Sequence, residues 1–197
     1  GRAGKDDLHM RRAPLDSVLR EAAEPHRERG KKIHFDLAPG PDGDSQQPTI
    51  LRRPELIHGL RNLVQNAVDF ASGNVWITAR WGRSSIRITI VDDGKGFPPQ
   101  MLGRIGDPFM RARSAPSNRT DRPGYEGMGL GLFIAKTLLE RSGADLLFVN
   151  GSAPGDITPH PRARAGAIVE LTWPRDKISP APETLRAALG ENRPIEV

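Results

Sequence analysis

Apolar and polar residues alternate with two different periods along the chain, which predicts a mixture of helices and strands. Helical spacing occurs in three segments, at residues 13–30, 54–71 and 128–142. Pro54 suits the first turn of the second helix, because its missing N–H would have no partner there. Period-two alternation or a short apolar run predicts five strands, at residues 33–37, 75–81, 86–90, 146–149 and 167–173. The pattern therefore predicts an α/β fold.

Two segments lack this periodicity. Residues 98–126 are rich in Ser, Pro, Asn, Arg and Gly. A stretch of this length inside a domain predicts a functional lid or a disordered loop. Residues 174–197 are rich in Pro and charge, which predicts a C-terminal tail with one short helix at 183–189.

Composition narrows the classes of function. The 197 residues are enough for one substantial domain with its own core. The net charge is +5, but the arginines are dispersed with few aromatic residues between them, so we expect no nucleic-acid partner. The chain contains no cysteine, which excludes disulfides and thiolate zinc sites. No apolar run reaches the roughly 18 residues of a membrane span, so we expect no direct membrane contact. Because the sequence opens with Gly1, we expect it to be a fragment.

Three polar residues line up on the side of the second predicted helix that faces away from its apolar stripe. Asn62, Asn66 and Asp69 follow one another at i, i+4 and i+7, which places their side chains in one row. Their oxygen atoms suit Mg²⁺, which keeps several waters and takes only one or two protein ligands beside substrate phosphates. For this row alone, the alternative is a solvated polar helix face.

A carboxylate stands where an isoleucine-rich strand ends. Asp92 comes directly before a turn through Gly94 and Gly96, and it can accept a hydrogen bond from an exocyclic amine such as N6 of adenine. A buried carboxylate without a partner is costly, so such a site would reject bases that lack the donor. The glycines permit positive φ and a close approach of the backbone to a flat ring. Asp93 is interpreted as a turn residue.

Glycines also stand at the start of the third predicted helix. Gly127, Gly129 and Gly131 leave backbone N–H groups open at the positive end of the helix dipole, which predicts an anion site. The alternative is tight helix packing. The spacing matches neither a dinucleotide-binding fingerprint nor a P-loop.

Pro108 and Phe109 stand between the Asp92 motif and the glycines that begin at Gly127. Taken in order, the four motifs resemble the N, G1, F and G2 boxes of sensor histidine kinases. Those kinases belong to the gyrase, Hsp90, histidine kinase and MutL (GHKL) superfamily. The residues around Asn66 and Gly106–Phe109 are similar to the redox-responsive RegB/PrrB group. The resemblance spans residues 10–175. It implies an α/β two-layer sandwich with helices on a mixed β-sheet (the Bergerat ATP-binding fold), with ATP and Mg²⁺ as cofactors.

The resemblance also implies a role for individual residues. It assigns the magnesium ligand to Asn66, adenine recognition to Asp92 and anchoring of the lid to Phe109. The other residues expected to contact the nucleotide are Asp69, Gly94, Gly96, Arg111, Gly127, Gly129, Leu130 and Gly131.

The chain departs from the family pattern at two positions. Many members carry a basic residue where Asp69 stands, so Arg111 or Lys136 is a candidate to contact phosphate instead. ATP-hydrolysing relatives carry a glutamate base where this chain has Asn62, and an amide cannot accept a proton as a carboxylate can. We therefore expect weak intrinsic hydrolysis of ATP. Asn62 and Asn66 are the residues that we expect at the catalytic positions.

The family's phosphoacceptor histidine is followed by Glu or Asp and then by Pro, on a helical hairpin. None of the five histidines has this context: His9, His26, His34, His58 and His160. We therefore interpret residues 13–174 as the catalytic ATP-binding domain. Residues 1–12 would be the end of a dimerisation hairpin or a linker, and residues 175–197 a tail.

The predicted function is transfer of the γ-phosphoryl group of ATP to a histidine on a separate domain of a parent sensor kinase. The resemblance adds a response regulator as a partner, a cytoplasmic location for this domain and a parent anchored in the bacterial inner membrane. Two alternatives stay open. One is an ATPase similar to gyrase or Hsp90, and the other is a degenerate nucleotide-sensing domain that keeps the boxes without transfer.

Overall fold

The computed structural model describes residues 11–102, 128–151 and 166–181. Their strands are β1 (Arg12–Pro14), β2 (Lys32–Pro39), β3 (Thr49–Leu51), β4 (Asn74–Trp81), β5 (Ser85–Asp92), β6 (Asp145–Asn150) and β7 (Ala167–Pro174). The helices are α1 (Leu15–Ala23), a 3₁₀ turn (Glu24–His26), α2 (Pro54–Phe70), α3 (Pro99–Leu102), α4 (Met128–Arg141) and α5 (Arg175–Ile178).

Five strands form one mixed sheet in the order β2-β4-β5-β7-β6. β2 runs parallel to β4, and the other pairs are antiparallel. β1 and β3 form a separate antiparallel pair. The inward side chains of β4, β5 and β7 share one core with the buried residues of α1, α2 and α4. The predicted α/β sandwich of helices on a mixed sheet is confirmed.

The second helix buries the stripe that its sequence predicts. All six apolar residues of that stripe are buried: Leu56, Leu60, Leu63, Val64, Ala67 and Ala71. Full burial of each leucine contributes about 2 kcal/mol. A Cβ added at Gly59 would lie 2.5 Å from Cγ of Leu139, so the glycine lets α2 and α4 approach closely. The two helices that carry the predicted magnesium and phosphate residues therefore lie directly against each other.

The structure differs from the predicted elements in its short segments. The first helix ends at Ala23 rather than near Gly30 and continues as the 3₁₀ turn, because Pro25 has no N–H to donate to the preceding turn. β1, β3, α3 and α5 were not predicted. Each has three or four residues, which is too few for a period to be recognised.

The first residues after β7 are attached to the sheet. The backbone N–H of Arg175 donates to the carbonyl of Ser84 at 2.8 Å, and Ile178 is buried. Oγ of Ser179 donates to the carbonyl of Thr49 at 2.7 Å. The short helix predicted at 183–189 lies outside the described residues, as does most of the predicted lid. Within the described ranges, no helix is both long enough and apolar enough to cross a membrane.

Candidate functional site

The carboxyl group of Asp92 is buried at the end of β5, with 2% of the residue exposed. Its Oδ1 accepts hydrogen bonds from the backbone N–H of Gly94 at 2.8 Å and of Ala167 at 3.3 Å. Among the described residues, no donor reaches Oδ2. Burial raises the pKa of Asp92 from 3.8 to about 6, while the two backbone hydrogen bonds oppose the rise. An N–H group of a ligand at Oδ2 would therefore stabilise a carboxylate that the protein alone holds at a cost.

Two glycines let the backbone close around Asp92. A Cβ added at Gly166 would lie 1.6 Å from the carbonyl oxygen of Asp92, and one added at Gly94 would lie 2.1 Å from the carbonyl oxygen of Phe70. A side chain at Gly94 would therefore clash with the end of α2. The expected contact of Gly94 with the nucleotide stays a prediction. Gly96 has φ +79°, the positive φ that was predicted. Gly166 was missed, because its neighbour lies 74 positions earlier in the chain.

Asp93 has a larger structural role than a turn residue. Its Oδ1 accepts from the backbone N–H groups of Ser72, Gly73 and Asn74 at 2.8–3.0 Å. Its Oδ2 accepts from Nδ2 of Asn74 at 3.0 Å. Although burial acts to raise it, hydrogen bonds from Gly73, Asn74 and Ser72 lower the pKa of Asp93. The carboxylate holds the segment between α2 and β4 against the end of β5, beside Asp92.

A reciprocal pair of hydrogen bonds holds the segment that follows Gly96. The backbone N–H of Phe97 donates to Oδ1 of Asn150 at 2.6 Å, and Nδ2 of Asn150 donates to the carbonyl of Phe97 at 2.8 Å. Phe97 is buried and packs edge-on against Phe148. Asn150 could not be predicted from the sequence, because a lone Asn at the end of a strand carries no spacing signal.

The polar row of α2 (Asn62, Asn66 and Asp69) lies along one side of the helix, as its spacing predicts. Asn62 and Asn66 are half-buried, and neither side chain has a hydrogen bond to another described residue. No described residue therefore competes with a ligand for their amide groups. Asp69 forms an ion pair with Arg29, which stands just before β2. Arg29 therefore brings a positive charge next to the row, and the sequence alone did not reveal this contact.

The glycines before and within α4 are only partly described. α4 begins at Met128, so Gly129 and Leu130 lie in its first turn, where backbone N–H groups lack helical partners, and Gly131 follows directly. No atom of the described residues lies within 4 Å of a Cβ added at Gly131, so none of these residues requires a glycine there. Leu130 is partly exposed beside it. Lys136, a candidate for phosphate contact, pairs with Glu140 at 2.5 Å. Three predicted site residues lie outside the described residues: Phe109, Arg111 and Gly127.

The described histidines have local partners or lie on the surface. His26 is buried beside Arg29, and His34 stacks on Trp76. His58 is exposed on α2. His9 and His160 lie outside the described residues.

Comparisons with known proteins place this arrangement in a family. Residues 52–177 match the family model described as Histidine kinase-, DNA gyrase B-, and HSP90-like ATPase. The chain is 62% identical over 193 residues to the sensor histidine kinase RegB of Cereibacter sphaeroides, which covers 98% of this chain and 41% of RegB. The chain thus spans less than half the length of that relative.

Two solved structures have the same fold. The nucleotide-free catalytic domain of histidine kinase ThkA superposes with a TM-score of 0.55 at 21% identity, covering 83% of this chain and 94% of that one. Full-length ShkA in complex with AMPPNP gives a TM-score of 0.56 at 27% identity, covering 92% of this chain and 34% of that one. The chain therefore belongs to the histidine kinase-, DNA gyrase B- and HSP90-like ATPase family, as a catalytic ATP-binding domain similar to that of the sensor histidine kinase RegB.

Proposed function

We propose that this domain binds Mg·ATP and delivers the γ-phosphoryl group to a histidine on a separate domain of its parent kinase. The observation that carries the proposal is the buried carboxyl of Asp92, whose Oδ1 is occupied by two backbone N–H groups. Its Oδ2 has no donor among the described residues. The exocyclic amine of adenine supplies such a donor, whereas guanine presents a carbonyl at the equivalent position. The site therefore favours ATP over GTP.

Magnesium fits the polar row of α2. Asn66 is the proposed ligand, with Asn62 one turn before it, and both amides lack hydrogen bonds to described residues. The described residues contain no group of three or more His, Cys, Asp or Glu side chains that could hold a metal. A site with one or two protein oxygens suits Mg²⁺ that is held largely by phosphates and water. When bound, the ion would neutralise charge on the phosphates of the nucleotide.

The rest of the proposed machinery binds and positions the nucleotide. Gly94 and Gly96 shape the turn beside the adenine, and the first turn of α4, with Gly129 and Leu130, offers N–H groups to the phosphates. Gly127 and Gly131 are proposed to contact the nucleotide as well. Phe109 and Arg111 are proposed to contact the nucleotide from the lid. Asn62 cannot act as a general base, so water is activated poorly and ATP survives until an acceptor histidine arrives.

We propose the same division of the chain as its sequence predicts. Residues 13–174 form the catalytic domain, residues 1–12 are the end of a dimerisation hairpin or a linker, and residues 175–197 form a tail whose first residues are attached to the domain. The acceptor domain of the parent and a response regulator are the proposed protein partners. The similarity to the sensor histidine kinase RegB over 98% of this chain supports a sensor kinase as the parent. We further propose that the domain lies in the cytoplasm and that the parent is anchored in the inner membrane.

Replacing Asn66 with Ala is expected to remove the effect of magnesium on nucleotide affinity. In the wild type, magnesium should tighten ATP binding about tenfold or more, because the ion links the phosphates to the protein. In Asn66→Ala, calorimetric titrations with and without magnesium should give nearly equal affinities. Gln65→Ala is the matched control, since Gln65 is exposed on the same helix but outside the polar row. An unchanged magnesium effect in Asn66→Ala would reject this ligand.

Incubation of this chain alone with γ-labelled ATP is expected to give no acid-labile label on the protein, because none of its histidines has the acceptor context. Adding the parent's hairpin as a separate polypeptide should give slow labelling of the hairpin, since a tethered acceptor reacts at a far higher effective concentration. A hairpin without its histidine is the control. Label on this chain alone would contradict the assignment of the acceptor. ATP binding without transfer to the hairpin would favour the degenerate nucleotide sensor.

A further inference from the structure

The guanidinium of Arg29 lies on the polar row of α2. Its Nη2 donates to Oδ1 of Asp69, and its Nη1 lies 3.4 Å from Nδ1 of His26. Asp69 is one turn after Asn66 on the same side of the helix, so the ion pair places Arg29 beside the proposed magnesium ligand. Arg29 keeps 43% of its side chain exposed, which leaves N–H groups available to a ligand.

The neighbouring residue Lys31 reaches the adenine end of the same helix. Its Nζ donates to the carbonyl of Ala71, and its charge acts to lower the pKa of Asp92. The short segment from Arg29 to Lys31 therefore contacts α2 both at the polar row and at the end next to Asp92. A nucleotide with its base at Asp92 and its phosphates along the polar row would pass this segment.

The charges around Asp69 favour an anion despite the carboxylate. Three charged side chains influence the pKa of His26: Arg29 and Arg61 act to lower it, and Asp69 acts to raise it. Burial and then the charge of Arg29 lower the pKa of His26 from 6.5, so the imidazole is neutral at neutral pH. Among the described residues that influence the pKa of His26, the two guanidinium groups and the one carboxylate have a net charge of +1. Without Arg29 the sum would be zero, and Asp69 would lose its ion pair.

We propose that Arg29, held in place by Asp69, binds the polyphosphate of the nucleotide and supplies the positive charge that the polar row itself lacks. This inference rests on the proposed function, because it assigns a further binding residue to the same site. A purely stabilising role does not explain the Arg29–Asp69 ion pair well, since ion pairs with this exposure contribute little to stability. A guanidinium with free N–H groups beside a phosphate is a strong and directional contact.

The test compares ATP with adenosine, which carries the same base and no phosphate. In Arg29→Ala, calorimetry should show about tenfold weaker ATP binding and unchanged adenosine binding, because one charge-assisted contact is lost. Arg29→Lys should recover part of the ATP affinity, since it restores the charge. Arg27→Ala is the matched control, because Arg27 lies in the same turn and pairs with Glu24 at 3.2 Å. It should bind both ligands as the wild type does.

Three results would overturn the inference: wild-type ATP affinity in Arg29→Ala, equal losses of ATP and adenosine, or an equal loss of ATP in Arg27→Ala. Thermal unfolding of each variant shows whether a loss comes from the fold. If the wild type binds ATP and Arg29→Ala changes nothing, only this inference fails. If the wild type binds no ATP, the proposed function fails and takes the inference with it.

Discussion

Replacing Asp92 with Asn is expected to weaken ATP binding about a hundredfold or more. Asn can keep its carbonyl oxygen on the backbone N–H groups of Gly94 and Ala167, which turns its own NH₂ group towards the ligand. A donor would then face the donor of adenine where the wild type offers a carboxylate oxygen. Loss of a charge-assisted hydrogen bond together with an unpaired buried donor accounts for a change of this size. Calorimetric titration with ATP measures it, and equal affinities would refute the role of Asp92.

The same substitution is expected to stabilise the empty protein at neutral pH. The pKa of Asp92 is raised from 3.8 to about 6, so folding favours its protonated form. The stability from this group is present below pH 4 and is lost as the pH rises from 4 to 6. The raised pKa corresponds to about 3 kcal/mol lost at pH 7, an upper estimate of the gain on removing the charge. Urea unfolding should show Asp92→Asn about 2 kcal/mol more stable than the wild type at pH 7.5, and equally stable near pH 4.

Asp93, at the adjacent position, provides a control in which the pKa shift and the expected change in stability have the opposite sign. Its pKa is lowered in the folded protein, so its stability is present above the ordinary carboxyl pKa and is lost as the pH falls. Asp93→Asn should therefore destabilise the protein at pH 7.5. If Asp92→Asn were equally destabilising, burial of charge would not be the dominant cost at Asp92.

Gly166→Ala is expected to lower the free energy of unfolding by at least about 3 kcal/mol, because the added Cβ would meet backbone rather than a movable side chain. That Cβ would lie 1.6 Å from the carbonyl oxygen of Asp92 and 3.0 Å from its Oδ1. β7 must then move away from β5, and the N–H of Ala167 leaves the carboxylate. Urea unfolding measures the loss, and ATP affinity should fall with it.

Gly131→Ala is the matched control for this prediction. No described atom crowds its Cβ, and it lies within a helix, where Ala is favoured over Gly by about 1 kcal/mol. Gly131→Ala should therefore be as stable as the wild type or slightly more so. A loss of under about 1 kcal/mol in Gly166→Ala would show that the two strands can separate without cost.

Much of the fold could be predicted because its main elements are long and regular. α2 buries one stripe and leaves Asn62 and Asn66 on its other side, so a single period of 3.6 determines both faces. β4 alternates between buried and partly exposed residues over its eight positions, whereas β5 alternates at its start and is then fully buried. The pairing of the two strands follows from the short turn between them. The parallel pairing of β2 with β4 and the order of the sheet were not predictable, because strands far apart in sequence carry no local sign of which neighbour they join.

By itself, the sequence determined the family, the elements that carry the boxes and the identity of Asp92 as the buried carboxylate. These depend on spacing within one helix or at the end of one strand. Only the tertiary structure decided that Gly166 must be a glycine, that Asp93 fastens the segment between α2 and β4, and that Arg29 pairs with Asp69. The physical reason is that each of these is a contact between residues about 20 to 75 positions apart. Hydrophobic periodicity records which face of an element is buried, but not which distant backbone or charge lies against it.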